Sequence, residues 1–283
     1  MKLSVITVTL NVADILKMQI ESVRNCVGNL ELEQIIVDNG SNDNIKEIVS
    51  SFPEIKFVEN GKNLGFGAAN NIGYKIATGD YILFLNPDNQ ITKGTLEKLV
   101  QKMEQDKNIG LLSVKLIHPD GRFNEGAKPR RYPKLFDQLI SLLKVPHLFP
   151  KVLNHYLMKD FDSEVEQEVE TVRGSFMLLK KATLDKLGFA FDPLYFIWFE
   201  DVDLCREIQK MGLKVFYTPM VECCDLVGQT FKKQDSVWKQ KIFTASMIKY
   251  FSKWGPWYAP YVLRFFRPFG ILAVWFKKQI TGK

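Results

Sequence analysis

Short apolar runs rich in β-branched residues, each followed by a polar stretch of helix-compatible composition, govern what this chain can form. Residues 3–9 and 34–38 are two such runs. The alternation continues through a run at 55–59, a helical stretch over 65–78, a run at 81–85, a helical stretch over 92–105 and a run at 111–117. Strands separated by helices are the rhythm of βαβ units, so the expected fold is α/β, with a mainly parallel central sheet flanked by helices on both faces. Around 121–133 the pattern dissolves into Gly, Pro, Lys and Arg. Residues 122–170 therefore read as an excursion from the sheet. Periodicity returns over 171–180, followed by an aromatic run at 189–199, a helix from about 200 to 211 and a strand at 213–217. No internal repeat is present.

With 283 residues and 46% hydrophobic content, the chain can bury a substantial core. Its four cysteines, Cys26, Cys205, Cys223 and Cys224, form no Cys-x-x-Cys element, which points to a reducing compartment rather than a zinc site or disulfide framework. The amino terminus enters a strand-like run without the zones of a secretory signal, so retention in the cytosol is expected. The net charge of +6 is unevenly placed. Residues 237–283 hold nine Lys or Arg and no acid, leaving 29 basic against 32 acidic residues elsewhere. A basic footprint over the whole surface is absent, which disfavours nucleic acid as a partner.

Ligands of open α/β sheets sit beyond the carboxyl ends of strands, so the polar residues found there carry the functional reading. One run ends in Asp38-Asn39-Gly40-Ser41-Asn42-Asp43, where Asp38 can read a nucleobase, although these residue types also make ordinary capped turns. Another enters Asn86-Pro87-Asp88-Asn89, equally turn-like, with Asp88 placed to hold a hard divalent cation. A third site, Phe199-Glu200-Asp201-Val202-Asp203, follows the aromatic run. Acids in a first helical turn satisfy the macrodipole, but Asp201 beside an apolar rim also suits a general base. Between them, Asn63-Leu64-Gly65-Phe66-Gly67-Ala68-Ala69-Asn70-Asn71 lets backbone N–H groups approach an anion. It is neither a Walker loop nor a Gly-x-Gly-x-x-Gly fingerprint.

In this order, with residues 5–11 (Val-Ile-Thr-Val-Thr-Leu-Asn) and Arg173-Gly174-Ser175-Phe176-Met177 added, the motifs resemble the family 2 glycosyltransferases, in particular the bacterial rhamnosyltransferase-like branch. The resemblance covers roughly residues 1–230. It implies a GT-A fold and an inverting transfer from a nucleoside-diphosphate sugar, with dTDP-rhamnose favoured and UDP-sugars next. The acceptor it implies is a saccharide on a polyprenyl diphosphate, in surface polysaccharide synthesis. Carried over by motif, Thr7, Asn11, Asp38, Asn39, Ser41, Asn63, Gly65, Asn70, Asn86 and Asp88 would surround the donor, Asp88 would hold Mg²⁺ or Mn²⁺, Asp201 would be the base, and Arg173, Gly174 and Glu200 would line the acceptor side. One departure stands out. Relatives place a His shortly before a Gly-x-Ser or Gly-x-Thr sequence; alignment on Gly228-Gln229-Thr230 puts Asp225 there as a metal ligand, with Cys224 as the off-by-one choice.

The chain thus divides into a domain over 1–230 and a helical tail over 231–283. Residues 249–278 mix aromatics with Lys and Arg, but the longest unbroken apolar run, 269–276, is far too short to span a bilayer. Such a segment suits the headgroup region of an anionic membrane, giving peripheral attachment at the inner face. Alternatively, its aromatics pack on the domain or across a homodimer. The cluster Lys128, Arg130, Arg131 and Lys134 is a candidate for the acceptor diphosphate or a solvated charge run. Two rival functions are a non-catalytic membrane scaffold with an altered metal site and a nucleotidyltransferase, the latter opposed by the Glu200–Asp203 element.

Overall fold

The computed structural model describes residues 1–147, 149–226 and 235–281. Its centre is a sheet in the order β3-β2-β1-β4-β8-β6-β9-β5, with β7 pairing β9 off that path. The first four neighbours, β1 (Lys2–Thr9), β2 (Glu31–Asp38), β3 (Lys56–Glu59) and β4 (Tyr81–Leu85), run parallel. Helices α1 (Ala13–Cys26), α2 (Ile45–Ser50) and α3 (Phe66–Ile76) connect them. The parallel expectation therefore holds for this half.

Beyond β4 the sheet becomes mixed. β8 (Phe176–Lys180) runs antiparallel to both β4 and β6 (Ile109–Ile117), and β9 (Lys214–Asp225) returns parallel to β6. β5 (Asn89–Lys93) pairs antiparallel with the end of β9, so the turn-like residues after Asp88 open a strand. β9 is longer than its apolar core of 213–217 suggests. It continues past Pro219 through a register shift against β6 and ends at Asp225. Helix α4 (Leu96–Gln105) precedes β6, and α6 (Lys181–Leu187) and α7 (Glu200–Lys210) lie between β8 and β9. The 122–170 excursion holds the short helix α5 (Leu135–Leu142), two 3-10 turns and β7 (Gln167–Glu168).

Strand period decides which face each side chain serves. In β4, Tyr81, Leu83 and Leu85 join one core with Leu96, Leu99 and Met103 of α4, whereas Ile82 and Phe84 join the opposite core with Ala69 of α3 and Leu204 and Ile208 of α7. Both faces are therefore covered, and each buried Leu, Ile or Phe contributes roughly 1.5–3 kcal/mol relative to exposure. A third cluster packs Leu16 and Ile20 of α1 on Ile36, Ile45 and Phe52.

The tail forms two helices, α8 (Ser236–Trp254) and α9 (Ala259–Thr281). Tyr250 and Phe251 of α8 are buried with Tyr195 and Phe199. The aromatics at the start of the 249–278 segment thus pack on the domain, whereas Trp257, Tyr258 and several rings of α9 face solvent. Among the described residues, no helix is long and apolar enough to cross a membrane.

Candidate active site

The carboxyl ends of β1, β2 and β4 open into one cleft, and the loop that enters the reversed strand β8 closes it from the other side. Its lining includes Thr9, Asn39, Asn63, Gly65, Asn86, Asp88, Arg173, Gly174, Glu200, Asp201 and Asp225. Residues 88 and 201, far apart in sequence, therefore share one pocket.

Hydrogen bonds hold the parallel-strand side in place. Asn39 donates through Nδ2 to Asn63 Oδ1 at 3.0 Å and to the Gly65 carbonyl at 3.3 Å, while its Oδ1 accepts from Asn60 Nδ2 and the Leu64 N–H. This ties the end of β2 to the start of α3. Gly65 has φ +88°, and a Cβ there would stand 2.2 Å from the Phe196 carbonyl oxygen, so no other residue fits. That carbonyl accepts from the Phe66 N–H at 2.8 Å.

Not every expected donor residue faces the cleft. Thr7 is buried and its Oγ1 accepts from Gln19 Nε2 at 3.0 Å, under α1. Thr9, two residues on and on the same strand face, reaches the rim instead. Asp38 is folded into its own turn, accepting from the Ser41 N–H at 3.1 Å and Thr9 Oγ1 at 3.3 Å. Asn11, at φ 54°, accepts from the Asn42 N–H and donates from its backbone to Ser41 Oγ. Asn70 is buried on α3 and donates to the Phe66 carbonyl. Thr7, Asn11, Asp38, Ser41 and Asn70 thus frame the site from behind rather than line it.

The Asn86-Pro87-Asp88 turn and the Arg173-Gly174-Ser175 loop are fastened together. The Ser175 carbonyl accepts from the Asn86 N–H at 3.0 Å and from buried Asn89 Nδ2 at 3.2 Å. Asp225 sits opposite Asn89 in the β5–β9 register. Its Oδ2 accepts from Asn124 Nδ2 at 3.1 Å and lies 3.8 Å from Arg173 Nη1. Asp225 lines the cleft and Cys224, equally buried, does not. Of the two candidates, the carboxylate is the one that faces the cleft. Residues 228–230, on which that alignment rests, lie outside the described residues.

Asp88 and Asp225 offer oxygen donors to one cavity, the donor type that Mg²⁺ and Mn²⁺ require. Among the described residues no set of three metal-ligating side chains gathers. The remaining ligands of a hard cation would be diphosphate oxygens and water, so the donor set fits a cation that arrives with a nucleoside diphosphate.

The acidic element is presented by strained backbone. Trp198 and Phe199, immediately before α7, take φ 66° and 71°, values that bulky residues rarely adopt. Packing over-determines them. Both rings contact Phe243 of α8, and the Ile197 carbonyl accepts from Ser246 Oγ at 2.8 Å. The result turns Glu200 and Asp201 into the cleft, while Asp203 faces away to accept from Trp254 Nε1 and Lys253 Nζ of α8.

Burial pushes both cleft carboxyls up, and Glu200 well above the usual range. Their environments differ. Asp201 accepts from the Gly174 N–H at 3.1 Å and the Val202 N–H at 2.8 Å, with Arg173 also favouring its charge. Glu200 is 5% exposed, and its Oε2 has no hydrogen-bond partner. Hydrogen bonds therefore favour the charge of Asp201, whereas burial and the neighbouring Asp201 carboxylate disfavour that of Glu200.

Four aromatic lining residues were not marked as site residues by the sequence: Phe66, Phe196, Trp198 and Trp238. Their signal was the aromatic run and the first turn of the tail helix, which contributes Trp238 directly. The basic cluster of the excursion serves elsewhere. Lys128 pairs with Glu125, Arg130 donates to the Gly126 carbonyl, and Arg131 donates to the His155 carbonyl and pairs with Asp160. None of Lys128, Arg130, Arg131 or Lys134 lines the cleft.

A mixed sheet with this cleft at its rim is the architecture of GT-A glycosyltransferases. Staphylococcus aureus TarS superposes with TM-score 0.56 at 18% identity, over 89% of this chain and 44% of TarS. GalNAc-T7, solved with UDP, GalNAc and Mn²⁺, gives TM-score 0.60 at 18% identity, over 79% of this chain and 43% of its own. The sequence model of Glycosyl transferase family 2 matches residues 4–184, more than half the chain, and the protein belongs to that family. It is a glycosyltransferase, and its curated relatives include rhamnosyltransferases. Rhamnosyltransferase WbbL of Escherichia coli K12 is 27% identical over 192 residues, 65% of this chain and 69% of WbbL. The N-acetylglucosaminyl-diphospho-decaprenol L-rhamnosyltransferase of Mycobacterium tuberculosis H37Rv is 26% identical over 200 residues, 66% of this chain but only 64% of that enzyme.

Proposed function

We propose that the protein is an inverting transferase that moves L-rhamnose from dTDP-rhamnose onto a saccharide carried by a polyprenyl diphosphate, at the inner face of a membrane. The observation that carries this reading is the convergence of Asp88, Asp225 and Asp201 on one cleft, the first two on the strand-end side and the third beneath the acceptor-side loop. The rhamnosyltransferase names of WbbL and the M. tuberculosis relative support the sugar, and the diphospho-decaprenol in the latter's name supports the acceptor.

An acceptor hydroxyl is a weak nucleophile until its proton is taken. Asp201, held by the N–H groups of Gly174 and Val202, accepts that proton as the hydroxyl oxygen bonds to the anomeric carbon. The bond from that carbon to the diphosphate oxygen breaks on the opposite face, and the nucleoside diphosphate leaves with the electron pair. Asp88 and Asp225 would hold Mg²⁺ or Mn²⁺, which supplies positive charge to the leaving diphosphate. Asn39, Asn63 and Gly65 shape the nucleotide side, while Arg173, Gly174 and Glu200 border the acceptor. Glu200, whose Oε2 has no partner within the protein, is placed to hydrogen-bond a sugar hydroxyl.

The UDP bound to GalNAc-T7 and to the TarS 1–349 fragment favours a UDP-sugar as the second reading. The deciding experiment is a donor panel with Mn²⁺ and synthetic polyprenyl diphosphate saccharides, read by mass spectrometry. A mass gain of one deoxyhexose from dTDP-rhamnose supports the first reading, and a hexose or N-acetylhexosamine gain from a UDP-sugar supports the second. No transfer and no nucleotide binding would leave a non-catalytic scaffold.

A further inference from the structure

Helix α9 presents two unlike sides. Its inner side is fixed to the protein. A Cβ on Gly270 would stand 2.3 Å from Leu142 Cδ1 and 3.0 Å from the Leu142 carbonyl oxygen of α5, so the two helices are in close contact here. Arg267 donates through Nε to Thr244 Oγ1 at 3.1 Å and through Nη2 to the Lys241 carbonyl at 3.1 Å, both on α8. Leu263 is 1% exposed.

The outer side carries Tyr261, Phe265, Phe269, Leu272 and Phe276, continued by Tyr258 just before the helix, spaced at three and four residues and all exposed, Phe265 at 67% and Tyr261 at 63%. At about 1.5 Å per residue this stripe is roughly 30 Å long. Single exposed apolar residues need no explanation, but a continuous aromatic stripe on a rigidly held helix does. Arg264 and Lys277 flank it, and residues 237–283 contain no acid at all. Cationic edges beside an aromatic face match the surface of an anionic bilayer, with rings at acyl depth and basic side chains among the phosphates.

The stripe also leads to the cleft. Lys278, near the end of α9, pairs with Asp235, which caps α8 by accepting from the Trp238 N–H at 2.9 Å. Trp238 lines the cleft. The Lys278–Asp235 pair thus ties the end of α9 to the first turn of α8, whose Trp238 belongs to the cleft wall.

From these relations the geometry points to α9 as an in-plane docking helix for anionic lipid, which sets the cleft beside the headgroup layer. This deepens the membrane reading above, but its binding step stands apart from catalysis. The test is co-flotation of the full chain with phosphatidylglycerol-containing vesicles and with pure phosphatidylcholine vesicles, for wild type, F265S/F269S/F276S and R264Q/K277Q. Wild type floats with anionic vesicles. The triple variant loses at least tenfold in affinity, and the double variant loses the part that salt of about 0.5 M also removes. Brominated lipid quenches the emission of wild type through Trp257 and Trp275. Undiminished flotation of the triple variant overturns the proposal, as does wild type that ignores anionic vesicles. A triple variant that turns a dimer into a monomer in light scattering without losing flotation also overturns it, assigning the stripe to a second copy. Transfer to a short, water-soluble acceptor analogue stays within twofold of wild type in both variants, so loss of transfer alone speaks against the catalytic reading and not against docking.

Discussion

Lys253 Nζ lies 2.8 Å from Oδ2 of Asp203, a carboxylate whose side chain has no exposed surface. Trp254 Nε1 and the Tyr195 hydroxyl complete its shell. The pair joins α7, which begins with the two cleft acids, to the tail helix that clamps residues 197–199. Replacing Lys253 with Met strands a buried carboxylate without its cation. We expect K253M to lose about 2–4 kcal/mol in urea unfolding, with a lower kcat as the strained turn before Glu200 relaxes. Unchanged stability would show that the indole and phenol suffice.

The unlike surroundings of Glu200 and Asp201 make a second prediction. Asp201→Asn removes the proton acceptor and should cost on the order of 10²- to 10⁴-fold in kcat. Glu200→Gln keeps the shape and the hydrogen-bonding capacity of a carboxyl whose charge burial disfavours, and should retain activity within about tenfold. A base works deprotonated, and burial raises the pKa of Asp201. The acid limb of kcat/KM should therefore rise through a midpoint above the ordinary aspartate value. A D201N enzyme with normal turnover would remove Asp201 from the chemistry.

Asp225 rather than Cys224 lines the cleft, which separates two otherwise similar substitutions. In calorimetry with a nucleoside diphosphate, D88N and D225N should each weaken the Mn²⁺-dependent part of binding by at least about tenfold. C224S should leave it unchanged. A reversed order would place the metal on the thiol.

Near the amino end of β2, opposite the strand ends that form the cleft, Glu33 offers a control. It accepts from Lys56 Nζ at 2.6 Å, from Thr78 N–H at 2.9 Å and Oγ1 at 2.8 Å, and from Ser4 Oγ. Burial opposes its charge, but these donors outweigh it and bring its pKa down to about 2. A depressed folded pKa contributes stability above the unfolded value of about 4.3 and loses it as pH falls towards 2. Glu33→Gln should cost roughly 2–3 kcal/mol at neutral pH and progressively less in acid, with transfer activity retained. Urea titrations at neutral and acidic pH measure both.

The strand runs, the motif order and the meeting of residues 88 and 201 were legible because each rests on local pattern and on the rule that ligands gather at strand ends. Thr7 and Thr9 show the limit. Period two puts both on one face, and only the distance to the rim, which depends on neighbouring strands, separates the enclosed hydroxyl from the lining one. Asn89 to Lys93 look like turn and helix start, yet pair with β9, because their partner lies about 130 residues away. Trp238 reaches the cleft through tertiary packing of the tail, which no local period encodes.

The backwards course of β8 has a consequence for how such a protein diversifies. Parallel strands deliver the loops that follow them to the rim, whereas a strand of opposite sense delivers the loop that precedes it. The residues around Arg173 thus meet those around Asn39 and Asp88 without sharing a connection with them. The two walls form separate inheritable parts, so an insertion ahead of β8 can recast what is admitted on one side while the other keeps its amide lattice intact.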